Sequence, residues 1–212
     1  MEAQPAGGYP VQFSVAYPER DLNRLTTAFR IFVAIPIVIV MGALGAHYWN
    51  WSGHDAGYAG AGGGGVLFFA PILMIVFRQK YPRWWYDWNL ELSRFTNRVW
   101  AYVALMDDTY PSTDEQQSVS LQLPYPDAKQ DLNRWLPLVK WLLAIPHYIV
   151  LVFLGLAGIV CVIFSWFAIL FTGRYPRGLF DFVEGVLRWG NRVAAYAFVL
   201  VTDRYPPFRL SP

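Results

Sequence analysis

The sequence predicts a mainly α-helical integral membrane protein that is built as a tandem repeat. Two observations support this prediction: charged residues are scarce and avoid two long windows, and the same motifs recur in the same order in both halves of the chain. Each unit is predicted to contain a β-strand, a transmembrane or re-entrant helical hairpin and an amphipathic interfacial helix. This plan gives about four membrane segments.

The charge distribution distinguishes this chain from a soluble domain. Charged residues make up 15% of it, whereas a soluble domain carries about 25%. No Lys or Arg occurs in residues 31–77 or 141–173, and Asp55 is the only acid in those windows. The net charge of +2 is too small to indicate a nucleic-acid partner. The single cysteine, Cys161, excludes an intrachain disulfide.

The repeat is carried by polar motifs. The motif DLNR occupies Asp21–Arg24 and Asp131–Arg134, and the motif YPR occupies Tyr81–Arg83 and Tyr175–Arg177. Because the matches include Asp, Asn, Arg and Pro in register, chance similarity of apolar runs does not explain them. The predicted units are residues 1–111 and 112–212, with an insertion in the first unit at residues 48–65.

Each unit opens with a period-two pattern that is typical of a half-buried strand. The alternating apolar residues run from Val11 to Tyr17 and from Val119 to Tyr125. An isolated strand pair is marginal in water, so the strands pair with each other, cover the helices or extend a sheet in a partner chain.

A twofold relation between the units makes a specific prediction for these strands. Equivalent neighbouring strands then meet near the axis and run antiparallel. Phe13 and Leu121 are predicted to face the helices. Gln12 and Ser120 are predicted to face water.

Apolar segments with the length of membrane helices follow each strand. They are Leu25–Ala46 and Gly60–Phe77 in the first unit and the continuous run Leu136–Phe171 in the second. Gly155 and Gly158 are predicted to form the turn of a tight hairpin within that run. Short arms leave open whether the hairpins span the membrane or are re-entrant.

Basic residues flank the outer ends of each predicted hairpin and are absent from its tip. The positive-inside rule therefore predicts a multi-pass protein with both termini in the cytoplasm. Arg30 and Lys140 lie about one turn inside the first arm of each hairpin, from where their side chains can extend to the headgroups.

Each unit closes with an amphipathic segment, Trp84–Met106 and Gly178–Val201, whose charges form one narrow stripe. Such a helix lies in the membrane interface or packs beneath the hairpins. The arginines of the stripes either bind an anion or pair within the helix and anchor it. The candidates for binding an anionic headgroup or ligand are Arg30, Lys140, Arg94, Arg98, Arg188 and Arg192.

Histidines offer no convincing metal site. His47, His54 and Asp55 lie in the insertion among tryptophans, a pattern that favours an aromatic belt at the membrane surface. His147 is predicted to be a hydrogen-bonded core residue rather than a haem ligand. No metal, cofactor or catalytic residue is predicted, because no set of side chains suits nucleophilic catalysis.

Acidic residues precede the Tyr-Pro turn that ends each unit. They are Asp107 and Asp108 in the first unit and Asp203 in the second. A cation site is one interpretation, but acids at the end of a helix are more often solvated, and that is the prediction here.

The second unit resembles a bacterial membrane protein family of unknown function, domain of unknown function 4389. The resemblance rests on the motifs AIPHYIVL, WFAILFTGRYPRGLFDFVEGVLRW, RVAAY and DRYPPF. The first unit is similar more weakly, since GRYP is replaced there by QKYP. The resemblance implies a bacterial plasma-membrane protein with two tandem copies of the domain, and it brings no activity.

Three functions are compatible with these features. The favoured one is a non-catalytic accessory or scaffold subunit of a larger membrane assembly or homo-oligomer, whose partners are membrane lipids and other membrane subunits or itself. The alternative is a small transporter or channel, or a protein that binds anionic lipid. A lipid-modifying enzyme ranks lowest, because no nucleophile is evident.

Overall fold

The computed structural model describes residues 8–44, 71–113, 115 and 117–212, and it is mostly helical with one small sheet. The elements are β1 (Gln12–Val15), α1 (Arg24–Ala28), α2 (Arg30–Leu44), α3 (Met74–Arg78), α4 (Arg83–Val103), β2 (Val119–Gln122), α5 (Lys140–Leu143), α6 (Ile145–Thr172) and α7 (Arg177–Ala194). Helices α1 and α2 are joined at Phe29, and α3 is a π-helical turn. A second π-helical turn, Ala195–Val199, continues α7.

The two predicted strands pair with each other. They run antiparallel, with Phe13 opposite Leu121. Both of these side chains are buried, whereas Gln12 and Ser120 are exposed. The predicted pairing and facing are therefore confirmed, and the alternation of apolar and polar residues decides which side of the sheet packs on the helices.

The elements form three layers. The sheet lies on α4 and α7, with β2 against α4 and β1 against α7. On their other side α4 contacts α2, and α7 contacts α6. The amphipathic helices therefore form the middle layer and pack beneath the apolar helices, one of the two arrangements that their sequence allows.

The hairpin predicted in the second unit is wrong. Helix α6 runs without interruption through Gly155 and Gly158. A glycine inside a helix costs only about 1 kcal/mol relative to alanine, whereas a turn among apolar neighbours leaves backbone N–H and C=O groups without partners. No Pro, Asn or Asp accompanies these glycines to satisfy a turn, so the helix continues.

The prediction of about four membrane segments is not reproduced in the part of the chain that the structure describes. There, only α6 is long and apolar enough to cross a membrane, and α2 is shorter. Most of the segment Gly60–Phe77 lies outside the described residues, as does the insertion at residues 48–65. The candidate belt residues His47, His54 and Asp55 lie there too.

Helix α6 has one packed side and one bare side. Its buried residues include His147, Gly158, Ser165 and Ile169, which recur at helical spacing and so lie on one side of the helix. Only 11% of its most apolar 18-residue window is buried. An apolar helix of a soluble core is mostly buried, so this exposure is the unusual property of the fold.

Candidate functional site

The polar contacts of the molecule join its layers, and several occur at positions that the recurring sequence motifs match. Arg30, at the start of α2, forms an ion pair with Asp108 and donates to the carbonyl oxygen of Asp107 at 2.8 Å. Its guanidinium carbon lies 4.0 Å from the centre of the Tyr102 ring. With 3% of its side chain exposed, Arg30 is enclosed by protein and does not extend to the surface.

Lys140 repeats these contacts at the start of α5. Its Nζ lies 2.6 Å from Oδ1 of Asp203 and donates to the carbonyl oxygen of Thr202 at 2.7 Å. The ammonium also lies 5.2 Å from the centre of the Tyr196 ring, and the side chain is fully buried. Burial lowers the pKa of Lys140, and the hydrogen bond and charge of Asp203 oppose that shift.

Two sequence predictions are wrong at these positions. Arg30 and Lys140 do not extend to the headgroups, because each has a carboxylate and a carbonyl within reach inside the fold. Asp108 and Asp203 are not simply solvated, because each also accepts a backbone N–H: from Asn23 at 2.6 Å and from Asn133 at 2.5 Å. Each carboxylate thus ties its closing segment to the opening motif of the same unit.

Arg94 and Arg188 tie the middle layer to the sheet. Arg94 pairs with Glu91 at 2.7 Å, and its Nε donates to the carbonyl oxygen of Leu121 at 3.2 Å. Arg188 pairs with Glu184 at 2.5 Å, and its Nε donates to the carbonyl oxygen of Phe13 at 2.9 Å. The two acceptor residues lie opposite each other in the sheet.

Arg98 and Arg192 hold the segments that follow their helices. Arg98 donates to the carbonyl oxygen of Ser112 at 2.8 Å. Arg192 donates to those of Arg209 and Ser211 at 3.2 and 2.9 Å. In the described part of the chain neither has a carboxylate within ion-pair distance, and the Nε atom of each lacks a hydrogen-bond partner.

A cavity of about 460 Å³ lies beside the sheet and is lined by both Arg188 and Arg192. The strand residues Gln12, Ser14 and Gln122 contribute polar groups to its wall. Burial lowers the pKa of Arg192, as do the charges of Arg209 and Arg188. The cavity therefore combines buried positive charge with hydrogen-bonding side chains, which is the chemistry that an anion requires.

A second cavity, of about 330 Å³, opens between α2, α4 and α6. Apart from Arg30, whose charge is already paired, its wall is apolar and includes Ile31, Val103, Ile163 and Trp166. Such a wall suits a hydrocarbon chain and offers no group for acid–base chemistry.

His147 is a hydrogen-bonded core residue, as predicted. It is fully buried, and its Nδ1 accepts the indole N–H of Trp189 at 3.0 Å. Phe208 stacks on the ring with centroids 4.0 Å apart. Within the described residues no group of three or more His, Cys, Asp or Glu side chains is placed to hold a metal ion.

Asn97 and Asn191 open a third recurring motif, NRV, at residues 97–99 and 191–193, and no sequence pattern predicted that these two residues meet. They lie where α4 meets α7, and each amide Nδ2 donates to the other's Oδ1 at 2.7 Å. The signal that pointed to them was their shared NRV motif, since a symmetric amide pair needs the same residue on both helices.

Residues 135–209 are similar to a known family, whose model is described as a domain of unknown function (DUF4389). This similarity confirms the resemblance for the second unit, while for the first unit it stays a prediction. No curated protein and no solved structure matches the chain.

Proposed function

We propose that the protein is a non-catalytic, membrane-bound accessory or scaffold subunit that works in a larger membrane assembly or as a homo-oligomer. The observation that carries this proposal is the bare apolar side of α6. A surface of that extent on a folded chain is covered by lipid or by another protein.

The pairing of the polar side chains within the chain supports the same proposal. Arg30, Lys140, Arg94 and Arg188 have their charges paired with acids of the same chain. Each also donates to a backbone carbonyl. Groups used in this way stabilise the fold and are not available to transfer protons or attack a substrate.

The proposal includes a duplicated architecture in two units, residues 1–111 and 112–212. Its support is that contacts recur between matching residues: Arg30 with Asp108 and Lys140 with Asp203. Asn97 and Asn191 bond reciprocally, as residues on a twofold axis do. Leu105 and Leu200 both adopt left-handed backbone conformations after their helices.

The location we propose is the bacterial plasma membrane, with both termini on the cytoplasmic side. The basic residues beside the apolar helices support that side. Partners are then membrane lipids together with other membrane subunits or a second copy of the chain.

Co-expression of two differently tagged copies tests the scaffold role. After extraction of native membranes in a mild detergent, pull-down through one tag and native mass measurement should recover the second tag or a stoichiometric partner, with a mass well above the 24.3 kDa of one chain. An unrelated small membrane protein with the same tags is the control. A strictly monomeric particle that shows turnover contradicts the proposal.

A second candidate, an anion transporter, channel or anionic-lipid-binding protein, is favoured by the cavity that Arg188 and Arg192 line. Its test is chloride and phosphate flux in proteoliposomes for the wild type and Arg192→Gln. Arg177→Gln, at an exposed position, is the matched control. Flux that Arg192→Gln abolishes supports this candidate, and no flux for either anion and no binding of anionic lipid removes it.

A further inference from the structure

The outer surfaces of the three-layer fold have opposite chemistry. The bare side of α6 presents Ile149, Leu156, Ile163 and Phe171, which recur at helical spacing and are all exposed. Helix α2 adds further exposed apolar residues on the same layer. On the opposite surface, the outer side of the sheet carries only polar side chains: Gln12, Ser14, Ser120 and Gln122.

We propose that the protein lies in one leaflet of the membrane, with α6 parallel to the membrane plane. The bare sides of α6 and α2 then contact the acyl chains, α4 and α7 lie at the level of the headgroups, and the sheet faces water. This inference rests on the proposed membrane attachment and specifies its geometry.

The packing of α7 along α6 excludes an upright α6. Near the start of α6, His147 bonds to Trp189, towards the end of α7. At the other end, α6 finishes at Thr172 and α7 begins at Arg177, so the end of α6 lies near the start of α7. The two helices are therefore antiparallel neighbours over most of their length, and they occupy the same range of membrane depth if α6 spans.

The sheet follows α7 to that depth. Phe13 accepts from Arg188, and Val15 N–H donates to Glu184, in the middle of α7. An upright α6 would therefore place the polar side chains on the outer side of the sheet, Gln12, Ser14, Ser120 and Gln122, in hydrocarbon. Transfer of an amide or hydroxyl group into hydrocarbon without a hydrogen-bond partner costs about 2–7 kcal/mol.

The length of α6 points the same way. At 1.5 Å per residue its 28 residues extend about 42 Å, whereas a hydrocarbon core is about 30 Å thick. A helix in the membrane plane has no such limit. Helices of this kind bury one apolar side about 5–10 Å deep and keep the opposite side polar or packed.

The ends of the apolar layer suit headgroups. Trp135 and Trp141 are exposed just before α6. Tryptophan side chains are enriched at the membrane–water interface. Arg174, which pairs with Asp21 at 2.9 Å, is exposed just after α6, and Arg24 is exposed at the start of α1. Aromatic and basic residues at the rim of an apolar surface match the anionic surface of a leaflet.

Depth measurements along α6 test the proposal. In the full chain with Cys161→Ala, spin labels are attached to Ile149→Cys, Leu156→Cys, Ile163→Cys or Phe171→Cys, with Gln122→Cys as the control on the sheet. The proteins are reconstituted into vesicles of phosphatidylethanolamine and phosphatidylglycerol. Accessibility to lipid-soluble oxygen and to a water-soluble nickel chelate then gives the depth of each label.

The proposal expects all four labels on α6 at one similar, shallow depth, and the label at Gln122 in water. A depth that rises to a maximum at Leu156 and falls again towards Phe171 shows a spanning helix, which overturns the in-plane geometry and leaves membrane attachment intact. Labels on α6 that oxygen does not reach show a surface covered by protein, which also overturns it. Protein that does not bind the vesicles contradicts the membrane attachment itself.

Discussion

At the scale of single residues, two aspartates connect the Tyr-Pro segments to the DLNR motifs that precede them in the chain. Asp203 accepts the N–H of Asn133 with one oxygen and pairs with Lys140 through the other. Asp108 does the same for Asn23 and Arg30. Because one carboxylate accepts from a backbone N–H and pairs with a buried cation, its loss removes a partner from both groups.

Asp203→Asn is therefore expected to destabilise the fold by about 3 kcal/mol, because the fully buried Lys140 ammonium loses its counter-charge. Chemical unfolding in detergent measures this change. The matched control is Asp181→Asn, whose partner Arg177 lies 3.6 Å away on the surface, and which should change stability by less than about 1 kcal/mol. Equal effects of the two substitutions would contradict a special role for the buried pair.

The sequence predicted some of these residue contacts and not others. The pairing of Arg188 with Glu184 follows from helical spacing, and the burial of His147 from its apolar surroundings. The pairing of Lys140 with Asp203 joins residues far apart in the chain, so no local pattern reveals it. The repeat carried a partial signal, because a basic residue and an acid recur at matching positions in both units.

At the scale of elements, α6 is capped by Gly173, whose backbone is left-handed with φ of 76°. The carbonyl oxygen of Gly173 accepts the N–H of Leu22 at 2.8 Å, which fixes the end of α6 beside α1. A side chain at that φ is strained. The helix end and the attachment of α1 therefore both depend on this glycine.

Gly173→Ala is expected to cost about 1 kcal/mol. An added Cβ meets the nearest atom, in Asp21, at an ordinary 3.5 Å, so the cost comes from the backbone. Gly178→Ala is the control, since a Cβ there meets nothing within 4 Å and alanine favours a helix. Thermal unfolding should order the proteins as Gly178→Ala, wild type, Gly173→Ala from most to least stable, and the reverse order would refute the assignment.

Removal of β1 affects more than the sheet. Deleting residues 1–20 exposes the edge of β2 and removes the carbonyl oxygen that accepts from Arg188. The truncated protein is expected to aggregate or lose assembly, as size-exclusion chromatography in detergent would show. If the truncated protein assembles and melts like the full chain, β1 is not needed for folding or assembly, and this prediction is wrong.

The elements also show where sequence patterns suffice. Alternation along Val11–Tyr17 decided which side of β1 is buried. The continuous α6 was missed because residues 136–171 are long enough for two short arms or one helix. Only the packing of α7 along its length distinguishes the two.

At the scale of the whole molecule, polarity changes from one outer layer to the other. The buried ion pairs and amide pair lie between these layers, so the fold holds its shape without using the bare side of α6. Substitutions on that side are therefore expected to change membrane binding and leave the fold intact.

Leu156→Lys combined with Ile163→Lys tests this separation. Each substitution removes about 2 kcal/mol of apolar transfer free energy, so each should weaken partition into the membrane roughly 30-fold. Vesicle flotation measures the partition, and circular dichroism with unfolding curves checks the fold. Gln122→Lys, which adds a charge on the water-facing side of the sheet, should float like the wild type. If the double variant floats equally well, lipid does not cover this surface; if it binds poorly because it is unfolded, the side counted as bare instead packs against protein.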